Sequence, residues 1–255
     1  LHEIEDKSSY EAKAILQQKI EFYRASEQPD KAWNIIELNF QIESFRKELA
    51  EKLIAEDKLQ EAKKLVDDFI SENANKYIDS WYELKLQIAQ KEEDILEIRQ
   101  TSFRFIKSYF NDKYYKIYKS TFSKKEWVEK AEDLIQHYDK HDGKWFNGSV
   151  ADVLKAERQK ERLMNYITKY LSIDSLVKYY TSFSADFPEK TLALFRRTID
   201  KYAKNNLGRE HYERIAKLFE KMIKIDGGNE LVKEMINEYR ILYKNRRAMM
   251  EIINR

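Results

Sequence analysis

Four histidines are the side chains of this 255-residue chain whose ordinary pKa lies closest to neutrality. Two of them, His137 and His141, stand one helical turn apart. Imidazoles at i and i+4 share a helix face and can bind a transition metal, and Asp139 and Asp142 are close in sequence. No third ligand stands at a matching interval. The segment ends just before Gly143, where histidine complements the negative end of a helix dipole, so the pair reads as structural. His211, beside Tyr212 at a helix start, reads the same way. The acidic runs Asp67-Asp68 and Glu92-Glu93-Asp94 would be needed for carboxylate chemistry. On a helix, however, sequence neighbours point in different directions, so these read as solvated faces and turns.

Other chemistries lack their geometry. Gly227-Gly228 is the one adjacent glycine pair, and no phosphate-cradling pattern accompanies it. There is no nucleophile elbow, no His-Glu-x-x-His and no helical Glu-x-x-His. The absence of Cys removes thiol catalysis, thiolate zinc and disulfides together, and fits a reducing cytoplasm. Neither catalytic residues nor a cofactor are expected, and an enzyme is not.

Recognition residues are easier to name. Aromatics crowd the stretch from Phe103 to Trp127, more than one narrow inward stripe requires. Tyr114 and Tyr118 are candidates for partner contact, since tyrosine offers a large rigid face at low entropic cost; the alternative is helix-on-helix packing. Trp145 and Phe146 stand in a glycine-flanked loop, and exposed aromatics there would form a contact point. The formal net charge is only +2, with 47 basic and 45 acidic residues, which gives no broad electrostatic reason to bind nucleic acid or an anionic membrane. Within that balance, residues from Glu189 to Arg255 carry +6, including Arg196-Arg197 and Arg246-Arg247. Basic residues near helix C-termini explain part of this. A nucleic-acid-binding face built on those four arginines is the alternative.

Helices must position all of these residues. Five Gly and two Pro are too few for a strand-and-turn architecture, whereas helix-forming residues abound. Phe45, Leu49, Leu53 and Ile54 recur at three- and four-residue steps, Glu56-Asp57-Lys58 interrupts them, and Leu59, Ala62, Leu65, Val66 and Phe69 make a second stripe. The same pattern repeats around breaks at Lys91 to Asp94 and at Ser123 to Lys125, with unit starts about 34 residues apart, as stacked helix pairs require. An earlier pair, Tyr10 to Tyr23 and Lys31 to Phe40, is divided at Pro29. Further helices are expected over 150–170, 173–182, 188–204 and 209–225, the last stopped by Gly227-Gly228, with a final helix from Glu230. This organises the chain as a helical-repeat region over 1–142, a loop over 143–149 and a helical region over 150–255. No apolar run approaches the roughly 20 residues of a membrane span, and no membrane partner is expected. The first residue is Leu rather than Met, which reads as a piece of a longer protein.

Two resemblances refine this reading. The hairpin around Ala50 and Ala62 resembles a tetratricopeptide-type repeat, with a small residue on each helix where two backbones approach. The last quarter, through Leu194 to Arg197, Ala216 to Phe219, Gly227-Gly228, Glu238 to Arg240 and Arg246 to Ala248, resembles the end of bacterial SWIM zinc-finger proteins. Those fingers need Cys ligands that this chain lacks, so no metal or nucleic-acid role of the finger is implied. The resemblances imply a helical-repeat region of a larger bacterial cytoplasmic protein. The expected fold is an all-α solenoid of antiparallel hairpins with a C-terminal helical cap. The expected function is a protein-interaction scaffold that captures a protein or peptide in its groove.

Overall fold

The computed structural model describes residues 2–139 and 145–253. It is all-α, and among the described residues there is no strand. The chain divides into two compact units. One comprises residues up to Lys107 together with Asn111–Lys124, and the other comprises Ser108–Phe110 and the chain from Lys125 onward. The division therefore falls some twenty residues before the loop at 143–149.

The first unit contains α1 (His2–Ala25), α2 (Pro29–Leu38), α3 (Glu43–Ala55), α4 (Leu59–Glu72), α5 (Asp79–Lys91), α6 (Ile95–Ile106) and α7 (Asp112–Ser120). Each helix packs on the next, and α3 also meets α5. The second unit contains α8 (Lys124–Tyr138), α9 (Gly148–Ala156), α10 (Lys160–Lys169), α11 (Ile173–Tyr179), α12 (Pro188–Asn205), α13 (Arg209–Met222), α14 (Gly228–Leu242) and α15 (Arg247–Ile253). Here α9 pairs with α10, α12 packs on both α13 and α14, and α15 closes against α13.

One turn is used four times. With so few glycines, Glu27, Asp57, Glu93 and Arg158 take the left-handed conformation that ends a helix, at φ 55°, 61°, 56° and 55°. The next residue then donates its N–H five residues back: Gln28 to Tyr23, Lys58 to Leu53, Asp94 to Ala89 and Gln159 to Leu154, at 2.8–3.0 Å. This is the Schellman closure, which satisfies carbonyls that a helix end would otherwise orphan. The turn sets the register of the core. Seven residues before it lie Ile20, Ala50, Leu86 and Ala151, five after it lie Ala32, Ala62, Ile98 and Leu163, and all eight are buried. The Ala50–Ala62 pair accordingly sits fully inside, where two backbones can approach closely.

An L-residue in the left-handed region costs about 1–2 kcal/mol, less for Asp than for Glu. Glu93→Gly should therefore raise stability by about 0.5–1 kcal/mol after the greater freedom of glycine in the unfolded chain is subtracted. Asp57→Gly should gain less, because it also loses the ion pair from Lys91 to Asp57 at 3.2 Å. Urea midpoints of the two variants would check the order; a midpoint for Glu93→Gly below that of the parent would contradict it.

Three boundaries differ from the sequence reading. The helical stretch over 150–170 is two helices, because Arg158 adopts the repeated turn. The stretch over 173–182 finishes as one turn of 3₁₀ helix, Tyr180–Ser182. α13 ends at Met222, and the glycine pair serves the beginning of α14 instead of capping α13.

Candidate functional site

The first helices of consecutive hairpins, α3, α5 and α7, share one face of the first unit. That face holds a cleft of ≈ 350 Å³. Lys47 and Glu51 of α3, Ser80, Glu83, Gln87 and Gln90 of α5, and Lys113, Tyr114 and Ile117 of α7 line it. The spacing follows from helix geometry. Positions 80, 83, 87 and 90 recur at three and four residues, so they form one polar stripe beside the buried stripe of Trp81, Leu84 and Ile88. Asn111 starts α7 by accepting the N–H of Lys113 at 3.1 Å, which fixes where Lys113 and Tyr114 emerge.

The α7 wall of the cleft is built tightly. The Tyr114 ring stacks on Phe105 of α6, centroids 4.0 Å apart, and its hydroxyl donates to the Glu83 carboxylate. Lys113 Nζ approaches the same carboxylate at 3.4 Å and the Tyr114 hydroxyl at 3.3 Å. The Tyr114 hydroxyl holds the Glu83 carboxyl below its ordinary pKa, with Lys113 adding to the effect. Burial, reinforced by the Glu83 charge, pushes the Tyr114 phenol up. Tyr114 is therefore a fixed neutral donor whose proton is already committed. The α5 floor is different. Ser80, Gln87 and Gln90 are exposed, and among the described residues their side chains make no hydrogen bond. Each amide offers two donors and an acceptor, a match for the C=O and N–H of an extended main chain. The groups in the cleft can bind and orient a ligand.

The other sequence candidates lie elsewhere. Tyr118 is buried between Phe103 and Phe122, at 5.5 and 4.9 Å between centroids, and packs helix on helix. Phe146 joins a cluster with Tyr166, Tyr170 and Tyr179. Asn147 itself donates from its side chain to the Tyr138 carbonyl at 2.6 Å and from its N–H to the Tyr166 hydroxyl at 2.9 Å. Trp145, just before it, is 73% exposed. Arg196 is engaged by Glu234 at 2.8 Å and Glu238 at 2.6 Å, so its charge is largely answered. Arg246 donates to the Ala203 carbonyl at 2.5 Å and lies over the Tyr243 ring at 4.2 Å. Arg197 and Arg247 are exposed and have no ion pair among the described residues. His137 packs edge-on against Tyr138, while His141 lies outside the described residues.

The sequence reading thus found Tyr114 but not its company. Glu83, Gln87 and Gln90 look like any solvated helix face until α3 and α7 are placed on either side. The one available signal was that Ser80, Gln87 and Gln90 leave the polar stripe on α5 with a single charged residue, Glu83, which is unusual where 36% of residues are charged. No family model matches this chain, and no curated protein is similar to it.

Proposed function

We propose that this chain is a protein-interaction scaffold and that the α3–α5–α7 cleft holds an extended segment of its partner. The observation that supports this is the pair Gln87 and Gln90: two amides without a partner among the described residues, on the floor of a cleft walled by Lys47 and Lys113. Side-chain amides that are free and regularly spaced recognise main chain more than side chain, which suits a scaffold reading an extended peptide. In this reading the hairpins are tetratricopeptide-like, as the buried Ala50–Ala62 pair suggests, and extend as a solenoid. The likeness of the last quarter to SWIM zinc-finger proteins supports a helical region of a larger bacterial protein working in the cytoplasm.

Random peptides displayed on phage, selected on the whole chain, supply the probe. The tightest peptide is then titrated by fluorescence anisotropy. Gln87→Ala with Gln90→Ala should weaken it about tenfold to a hundredfold, since each lost hydrogen bond is worth about 1 kcal/mol. The unfolding midpoint should not move. A selected peptide that binds the double variant as tightly as the parent would place recognition elsewhere and defeat the proposal.

A further inference from the structure

The near-neutral charge of the chain conceals a group of exposed cations at one end of the second unit. Arg197, Lys201 and Lys204 lie within one face of α12, at four- and three-residue steps, and all three are exposed with no ion pair among the described residues. Helix α14 runs parallel to α12. Its Glu234 and Glu238 meet Arg196, its Tyr239 hydroxyl donates to Asp200 at 2.6 Å, and Arg246 just beyond it reaches the Ala203 carbonyl. The two helices therefore finish at the same end of the unit. Lys244 and Arg247, in the segment that follows α14, bring two more exposed cations to that end, neither in an ion pair among the described residues. Two acids close to this set in sequence, Asp200 and Glu251, form no ion pair with it among the described residues. Asp200 is taken by Tyr239 and Arg196, and Glu251 stands one turn past Arg247.

Aliphatic side chains stand among these cations. Leu207, in the loop after α12, is 66% exposed, and Ile241 and Leu242, the last residues of α14, are 77% and 68% exposed. A groove that receives another protein shelters its apolar residues partly even when empty. These project from helix ends and a loop into water. A duplex would satisfy the cations through its phosphates, but would leave three aliphatics in solvent. An interface with anionic headgroups above acyl chains satisfies both sets at once.

We propose that the end of the second unit at which α12 and α14 finish binds the surface of an anionic lipid bilayer. Lys201, Lys204, Lys244 and Arg247 meet the headgroups there, while Leu207, Ile241 and Leu242 enter the boundary below them. Arg246 holds the segment in place from α12. The surface belongs to the second unit and the cleft to the first, and neither proposal depends on the other.

Flotation of the whole chain with phosphatidylcholine vesicles, and with vesicles that also contain phosphatidylglycerol, tests this. Binding is expected only to the anionic vesicles, and it should fall steeply as salt is raised. Changing Lys201, Lys204, Lys244 and Arg247 together to Gln should weaken it about fivefold for each charge removed. Leu207→Ser with Ile241→Ser and Leu242→Ser should weaken binding while preserving its salt dependence. All seven positions are exposed, so circular dichroism melts should match the parent. No flotation with anionic vesicles at low salt would overturn the proposal. So would equal binding to both vesicle types, or tighter binding to a DNA duplex that the serine variant leaves unchanged.

Discussion

Gly228→Ala should lower the stability of the second unit by about 3 kcal/mol, although alanine is ordinarily the better residue in a helix. A Cβ at this position would lie 1.8 Å from the Met222 carbonyl oxygen and 2.6 Å from its carbon. Both atoms belong to the backbone that ends α13, and the same carbonyl already accepts the Ile225 N–H at 2.9 Å. Neither side can yield without breaking the junction between α13 and α14. Its neighbour supplies the control. Gly227 has φ +75°, so alanine there pays the left-handed penalty of about 1–2 kcal/mol, yet its Cβ would meet only Leu192 Cδ1 at an ordinary 3.7 Å. Urea unfolding of the two variants separates close approach from conformational strain. If Gly228→Ala cost no more than Gly227→Ala, the contact with Met222 would not be the reason for glycine.

Trp81→Ala should cost about 3–5 kcal/mol in the first unit, the range for removing a fully buried large aromatic. Trp81 stacks on Phe69 of α4, centroids 3.9 Å apart at 16° between planes, and donates from its ring nitrogen to Glu43 of α3 at 3.3 Å. Around it are Ile54, Val66, Ile78 and Ile88, so the space left by the indole has walls on three helices and cannot collapse without moving all of them. Trp81→Phe should recover most of the loss, short of the hydrogen bond and the missing ring. Trp145→Ala provides the contrast and should change the midpoint by no more than about 0.5 kcal/mol, because that side chain stands in solvent. Similar losses for the two tryptophans would mean that burial is not what makes Trp81 important.

Local sequence carried a good deal of this description. The apolar steps from Phe45 to Phe69, interrupted at Glu56-Asp57-Lys58, determine two helices and a tight turn without reference to the rest of the chain, and α3 and α4 lie there. Pro29 and Pro188 stand in the first turns of α2 and α12, where a missing N–H is harmless. The division at Arg158 escaped because its signal is the absence of a favourable residue. An arginine in the left-handed region looks like any helix surface position until the five-residue closure around it is seen. The glycine pair misled in a similar way, since glycine after an apolar run usually ends a helix, and here it lets the next one begin close to a carbonyl.

Helix content, the positions of most turns and the choice of core residues were determined by the sequence alone, because each follows from contacts within about four residues along one chain. What only the tertiary structure decided is which polar side chains remain free. Gln87 and Glu83 occupy the same face of α5, yet Tyr114 arrives from α7 to take the carboxylate and nothing arrives for the amide. Arg196 and Arg197 are neighbours, yet α14 brings two glutamates to the first and none to the second. A side chain's partners come from helices far away in sequence, so its availability is a property of packing that no local pattern contains.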